Sequence, residues 1–373
     1  LHSAALTSAF SRVAVFLNQG KSTAETPYQV TTLAVKLLSA LSRTLKLLVT
    51  LAFTFFGLLL VTFLIGRVIP IDPVLAAVGD RASAEVCERV RVELGLHLPL
   101  WQQFLIYVKQ AVTGDFGHSV LTANAVSEDI KRVFPATIEL ATLATLIGVS
   151  LGIPMGVKAA VNRGRWPDQL IRVLSLLGYS VPIFWLGLMG LLIFYAQLGW
   201  VGGPGRLDFA YEYLVEPVTG MLLVDSLLAG EWEVFGNALS HILLPANLLG
   251  FFSLAQISRM TRSLMLEQLS QEYIITARVK GLSEARVIWR HALGNAMVPL
   301  ITVVALSFGN LLEGSVLTET VFAWPGLGQY ITHSLLNADM NAVLGGTVVV
   351  GAVFIGLNLI SDLLYRVLDP RAR

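Results

Sequence analysis

An all-α integral membrane protein is the fold class predicted by three features of this 373-residue sequence: sparse charge, long apolar runs and unevenly placed basic residues. Apolar residues make up 55% and charged residues only 14%, against roughly 25% charged in a soluble domain. The apolar content, the scattered glycines and the single Cys87 exclude a disordered chain, a collagen and a disulfide scaffold. A formal net charge of +1 leaves no electrostatic footprint for nucleic acid.

A helix crossing a hydrocarbon core of about 30 Å needs about 20 mostly apolar residues. Six stretches meet that condition, at about 46–66, 136–158, 172–198, 242–260, 296–317 and 343–365. The first has no charge between Lys46 and Arg67, while Asn247, Ser253 and Gln256 interrupt the fourth. Runs of this length exclude a β-barrel, whose strands alternate over about ten residues. Residues 1–41 form a Ser/Thr-rich extension around Pro27 without a charged n-region, and a surface helix is expected over 30–42.

Charge placement sets the expected topology. With both ends in the cytoplasm, inner segments hold five Lys and Arg in 1–46, four in 158–172, six in 259–290 and three in 366–373. Outer segments hold seven in 67–135, one in 200–240 and none in 318–342. Long loops translocate largely regardless of charge, so the positive-inside rule favours this orientation.

The outer segment 67–135 opens with Pro70 and Pro73, which end the first span, and shows helical spacing over 83–94 and 100–112. It reads as a small helical cap or as a docking surface. The 200–240 loop starts with the turn Gly202-Gly203-Pro204-Gly205 and sets Asp208, Glu212, Glu216, Asp225, Glu231 and Glu233 against Arg206. Its acids are either solvated or draw a basic partner or substrate group. The outer turn Trp324-Pro325-Gly326 is a candidate contact or gate element, together with Asp208 and Glu212.

The inner loop 261–295 is the most informative. Helix formers run from Glu272 to Lys280, Gly281 reads as a C-terminal stop, and Ser283 followed by Glu284 reads as a new start. Two short helices would project Arg278, Lys280, Arg286 and Arg290 outward, leaving Val287 and Ile288 for an apolar groove. The positive-inside rule alone explains basic residues here, but not the helix–Gly–helix form.

Polar groups inside the spans are candidates for a substrate path or for helix–helix hydrogen bonds: Tyr179, Asn247, Gln256, Asn310 and Glu313, with Pro182 as a kink in the third span. Glu139 and Glu313 lie near the expected outer surface, at headgroup level. Gly20-Lys21-Ser22 echoes a phosphate-binding loop, but Val15 stands where that pattern needs glycine. No two of the six histidines stand at i,i+4 and no cysteine pair exists, so no metal site is expected.

An ordered set of fragments carries a family likeness: Ile71-Asp72-Pro73, Gly114-Asp115-Phe116-Gly117, Phe134 to Leu140, Pro182 to Gly187, Tyr273 to Ser283, Arg290-His291-Ala292-Leu293 and Glu319 to Gly328. Over about 42–373 the chain resembles the inner-membrane permease subunits of ATP-binding-cassette importers, in the dipeptide/oligopeptide/nickel branch. Gly205-Arg206-Leu207-Asp208 and Met265 to Ser270 look most like dipeptide permeases, including those for D-alanyl-D-alanine.

The resemblance implies a type I importer fold of six transmembrane helices with a cytoplasmic coupling helix, and no enzyme activity in this chain. ATP and Mg would be held by one or two separate ATP-binding subunits. A second homologous permease, an extracytoplasmic substrate-binding protein and membrane lipid would be its other partners, in a bacterial cytoplasmic membrane. Residues 272–293 would seat on the ATPase, through Glu272, Tyr273, Thr276, Ala277, Arg278, Lys280, Gly281, Leu282, Ser283, Arg286, Arg290 and His291. Many importers carry Glu-Ala-Ala where this chain has Ile275-Thr276-Ala277, and a proline where it has Gly294. A nickel-chelate permease is the neighbouring alternative within the branch. A secondary transporter is the alternative outside it, though the halves show no repeat and no ionisable residue stands clearly at midplane.

Overall fold

The computed structural model describes residues 45–46, 49–64, 66, 74, 78–79, 82–93, 95–337 and 339–368. The expected surface helix over 30–42, Gly20-Lys21-Ser22 and Ile71-Asp72-Pro73 lie outside them. The chain divides into two units, 1–54 and 55–373. In the first, every described residue is helical. The second holds everything discussed below except the start of the first helix.

Apart from one isolated bridge between His118 and Ala125, the regular structure of the described residues is helical. In chain order the helices are α1 (Val49–Leu64), α2 (Ala84–Glu93), α3 (Leu100–Thr113), α4 (Val126–Val161) and α5 (Trp166–Ser180). Next come α6 (Ile183–Gln197), α7 (Leu222–Ala229), α8 (Trp232–Leu269) and α9 (Glu272–Val279). The chain ends with α10 (Glu284–Leu312), α11 (Val316–Val321), α12 (Leu327–Leu336) and α13 (Met340–Leu368).

Among the described residues four helices are long and apolar enough to cross a membrane: α4, α8, α10 and Met340–Ser361 of α13. The α5–α6 pair makes a fifth if counted as one broken span. This departs from the six continuous spans expected. The described α1 is the central part of the expected first span, 46–66. The expected third span is bent by 95° between Ser180 and Ile183. Val181 is extended there (ψ 126°) and Pro182 caps α6. Proline supplies no amide hydrogen and drives its predecessor out of the helical region, so a mild kink becomes a corner.

α4 and α8 run parallel and form the centre of the bundle. Gly148 meets Ser253, Gly152 meets Ile257 and Gly156 meets Thr261, each step four residues on both helices. A Cβ on Gly156 would lie 2.5 Å from Thr261 Cβ and 2.6 Å from the Ser258 carbonyl oxygen. Only small residues permit this approach, and in lipid such close packing is a main source of helix association. At about 54 and 57 Å, α4 and α8 overshoot the hydrocarbon core, so their ends carry structured loops beyond it. A buried cluster including Leu140, Ile242, Leu249, Phe322 and Trp324 fills one end, and Val157, Met265, Ile274, Val287 and Ala296 fill the other.

Candidate functional site

The segment after α8 builds a short helix with two different faces. Ile274 and Ala277 of α9 are buried with Val157, Ala160 and Met265, which fixes α9 across the ends of α4 and α8. The opposite face keeps Ile275 57% and Val279 83% exposed. They stand one turn apart on one side of the helix. Gly281 has φ +78°, a left-handed conformation that closes the helix end; its amide bonds the Arg278 carbonyl at 2.9 Å, and Leu282 N bonds Ala277 O at 3.3 Å.

Ser283 occupies the N-cap of α10 with extended backbone, yet its hydroxyl makes no capping bond. The two helices are tied instead by Arg278, whose Nε and Nη2 donate to Glu284 at 2.8 and 3.2 Å. Tyr273 donates its hydroxyl to Gln268 at 2.8 Å, and Thr276 to the Glu272 carbonyl at 3.1 Å. Glu272, Lys280, Arg286 and Arg290 are exposed, Leu282 and His291 half-buried. Val287 is fully buried in the cluster beneath α9 and Ile288 packs against it. These two therefore anchor the segment to the bundle and are not free to fill a groove, whereas Ile275 and Val279 are exposed.

The path candidates divide. Tyr179, Pro182 and Asn310 line one concavity of about 550 Å³ between α5, α6, α8 and α10, with Leu248, Phe251 and Phe252 on its wall. Asn247 is exposed and donates to the Leu243 carbonyl of its own helix at 2.7 Å, and Gln256 is half-buried on α8. Neither lines that concavity. The side chain of Glu313 lies outside the described ones.

A second concavity, of about 600 Å³, adjoins the first through Tyr179 and is lined by Arg172, Ser175, Ser258, Arg259 and Arg262. Asp168 takes Arg262 in a bidentate pair at 2.6 and 2.8 Å. No spacing in the sequence marked this pair, since 94 residues separate its members.

At the other end, the loop candidates form a closed turn. Trp324 is 1% exposed, and its indole Nε1 donates to the Ala136 carbonyl at 3.0 Å. Pro325 is exposed and Gly326 buried, where a Cβ would lie 2.5 Å from Glu319 and Thr137. Trp324 is thus an anchor for the turn, and Pro325 supplies its outward surface. Glu319 is fully buried and accepts Thr137 Oγ1 at 2.7 Å, Ser315 Oγ at 3.0 Å and the Gln329 amide at 2.9 Å. Burial pushes its carboxyl above the ordinary range, against the opposing pull of these donors.

Beside it, Glu139 is buried and paired with Arg206 at 2.6 Å, and it also accepts the Leu223 amide. It is therefore the acid of an internal ion pair. Arg206 also lies 5.6 Å from the Trp324 ring centroid. Asp208 exchanges two hydrogen bonds with Asn237, at 2.9 and 2.6 Å, and approaches buried His241 at 3.3 Å. Glu212 is exposed. Of the loop acids, Asp225 is buried and caps its own turn by accepting Thr219 and Gly220. Among the described residues no group of His, Cys, Asp and Glu is arranged to hold a metal.

Comparison with known proteins places this geometry. Residues 148–373 match the family described as binding-protein-dependent transport system inner membrane component, and residues 40–141 match its N-terminal part. The probable D,D-dipeptide transport system permease protein DdpB of Escherichia coli K12 is 47% identical over 84% of this chain and 92% of its own. The di/tripeptide transport system permease protein DppB of Pseudomonas aeruginosa is 44% identical over 90% and 99%. The dipeptide transport system permease protein DppB of E. coli K12 is 45% identical over 86% and 95%. A solved chain of the inward-facing MetNI methionine ABC transporter aligns over 63% of this chain at a TM-score of 0.47 and 16% identity. The chain belongs to the family of binding-protein-dependent transport system inner membrane components, and is a transport permease rather than an enzyme.

Proposed function

We propose that this chain is one transmembrane subunit of an ATP-driven importer that passes di- or oligopeptides across the bacterial cytoplasmic membrane. The observation that carries the substrate class is the 44–47% identity, over most of both chains, to permeases named for dipeptides and di/tripeptides. Completed by α1 and by the broken α5–α6 pair, the bundle has six spans with both termini inside. A second, homologous permease pairs with it around the path, and an external binding protein delivers substrate to 67–135, 200–240 and 318–342.

ATP and Mg act on separate subunits seated against 272–293. Ile275 and Val279 enter an apolar cleft on the ATPase, and Arg278, Lys280, Arg286 and Arg290 meet its acidic rim. ATPase closure then moves α9, and the cluster of Ile274, Ala277 and Val287 passes that movement to α4, α8 and α10. The test is ATP-dependent uptake of a labelled dipeptide by the purified complex carrying Gly281→Val with Leu282→Ser. Uptake is expected to fall to background; undiminished uptake coupled to ATP overturns the coupling role.

A further inference from the structure

The two concavities that meet at Tyr179 differ in chemistry. The first is walled by aromatic and aliphatic side chains. The second carries three guanidinium groups and the hydroxyls of Ser175 and Ser258, which bond each other at 3.0 Å. Arg262 is neutralised by Asp168 in a bidentate pair, and the same carboxylate lies within electrostatic reach of Arg172. Arg259 has no such partner among the described residues. Its guanidinium lies 4.6 Å from the Tyr179 ring centroid, and Tyr179 is itself braced against Phe252 at 5.0 Å.

Stacking on a ring face orients a guanidinium while leaving its in-plane donors open, and a planar fork of donors matches a carboxylate. The Arg259 site therefore combines uncompensated positive charge, a fixed orientation and adjoining empty volume. We infer that Arg259, held on Tyr179, takes the carboxylate terminus of the substrate as it leaves the aromatic concavity. This rests on the peptide-importer reading and adds to it the substrate group that the path recognises. Arg259 would then be a specificity residue, and Tyr179 a positioning residue acting through it.

The experiment uses the complete complex, with its second permease, ATPase subunits and binding protein, in proteoliposomes. Uptake of a dipeptide with a free carboxyl terminus is compared with that of its amidated form. Arg259→Gln is expected to lower the free-to-amidated uptake ratio about tenfold, the size of a lost charge-assisted hydrogen bond. Arg259→Lys should recover part of it, and Tyr179→Leu should lower the ratio less than Arg259→Gln. An equal loss for both peptides, or an unchanged ratio, overturns the inference.

Vesicles of neutral phosphatidylcholine form the second arm. If the effect of Arg259→Gln vanishes there, the cation serves an anionic lipid headgroup and the inference fails. A third measurement does not depend on the binding protein accepting the amide: a photoreactive dipeptide loaded during turnover should label fragments containing Tyr179 or Arg259, and labelling confined elsewhere overturns the inference. Absence of any peptide uptake by the unmodified complex would instead overturn the importer reading on which it rests.

Discussion

The turn around Trp324 and the segment around α9 close opposite ends of the same two helices, yet they use their residues in opposite ways. The turn consumes its functional groups internally: Trp324 bonds α4, Glu319 collects three donors and Arg206 is shared between Glu139 and the indole face. The α9 segment buries one face and leaves Ile275 and Val279 in the open. A turn whose principal side chains bond inward is a structural closure. A helix buried on one side with Ile275 and Val279 exposed on the other has the form that the proposed ATPase contact requires. The contrast predicts that substitutions in the turn unfold the protein, while substitutions on the outer face of α9 leave the fold intact and disconnect it.

The largest effect on the fold is expected from Trp324→Ala. It removes a fully buried aromatic side chain, its bond to Ala136 and the ring beneath Arg206. A buried Trp-to-Ala change costs about 3–5 kcal/mol. Thermal unfolding in detergent should register it as a large drop in midpoint or as failure to recover folded protein. A wild-type midpoint would show that the turn is not a closure.

A smaller effect on the same turn depends on pH. The carboxyl of Glu319 is raised from its ordinary 4.5 by burial, so the folded state binds a proton more tightly than the unfolded chain. That contribution is complete below pH 4.5 and is lost as pH rises through the folded value. Glu319→Gln should therefore flatten the pH dependence of the unfolding midpoint above pH 4.5. Parallel profiles for the two proteins would remove Glu319 as the titrating group.

Much of this architecture was legible in the sequence, and the failures have identifiable causes. Long uncharged runs locate α4, α8, α10 and α13 because lipid demands continuous apolar length. The break at Pro182 was visible as a proline, but the 95° size of the corner was not, because a proline alone is also compatible with a mild kink. The Gly148, Gly152, Gly156 repeat stood in plain view at a four-residue interval, and its partners Ser253, Ile257 and Thr261 keep the same interval. Gly281 announces a helix end through its need for positive φ. Glu139–Arg206, Asp168–Arg262 and Thr137–Glu319 were not legible, because each joins residues at least 67 positions apart. Val287 and Ile288 looked available for a partner because an apolar pair near a helix start gives no sign of which side will be covered.

The link between α9 and α10 offers a third, weaker test. Arg278 and Glu284 form a bidentate pair, but their side chains are 44% and 62% exposed. Exposed pairs of this kind contribute about 0.2–1 kcal/mol, and salt weakens them. A double-mutant cycle with Arg278→Ala and Glu284→Ala should give a coupling energy in that range, shrinking at high salt. A coupling of several kcal/mol would make this junction as self-contained as the turn and erase the contrast between the two ends.

The smallest effect on the fold, and the sharpest test of the comparison, is expected from Ile275→Ser with Val279→Ser. Both side chains are exposed, make no part of the buried cluster and lie opposite Ile274 and Ala277. Substitutions away from packed features stay within about 0.5 kcal/mol, so the unfolding midpoint should scarcely move. If this face completes itself against an ATPase, association of the detergent-solubilised subunits and ATP-dependent uptake should both collapse. Ile274→Ser gives the reverse pattern, lowering the midpoint because it opens the cluster that holds α9 on α4 and α8. Equal behaviour of the inner-face and outer-face variants would mean that α9 has no free side, and that the two ends of the bundle are closed in the same way.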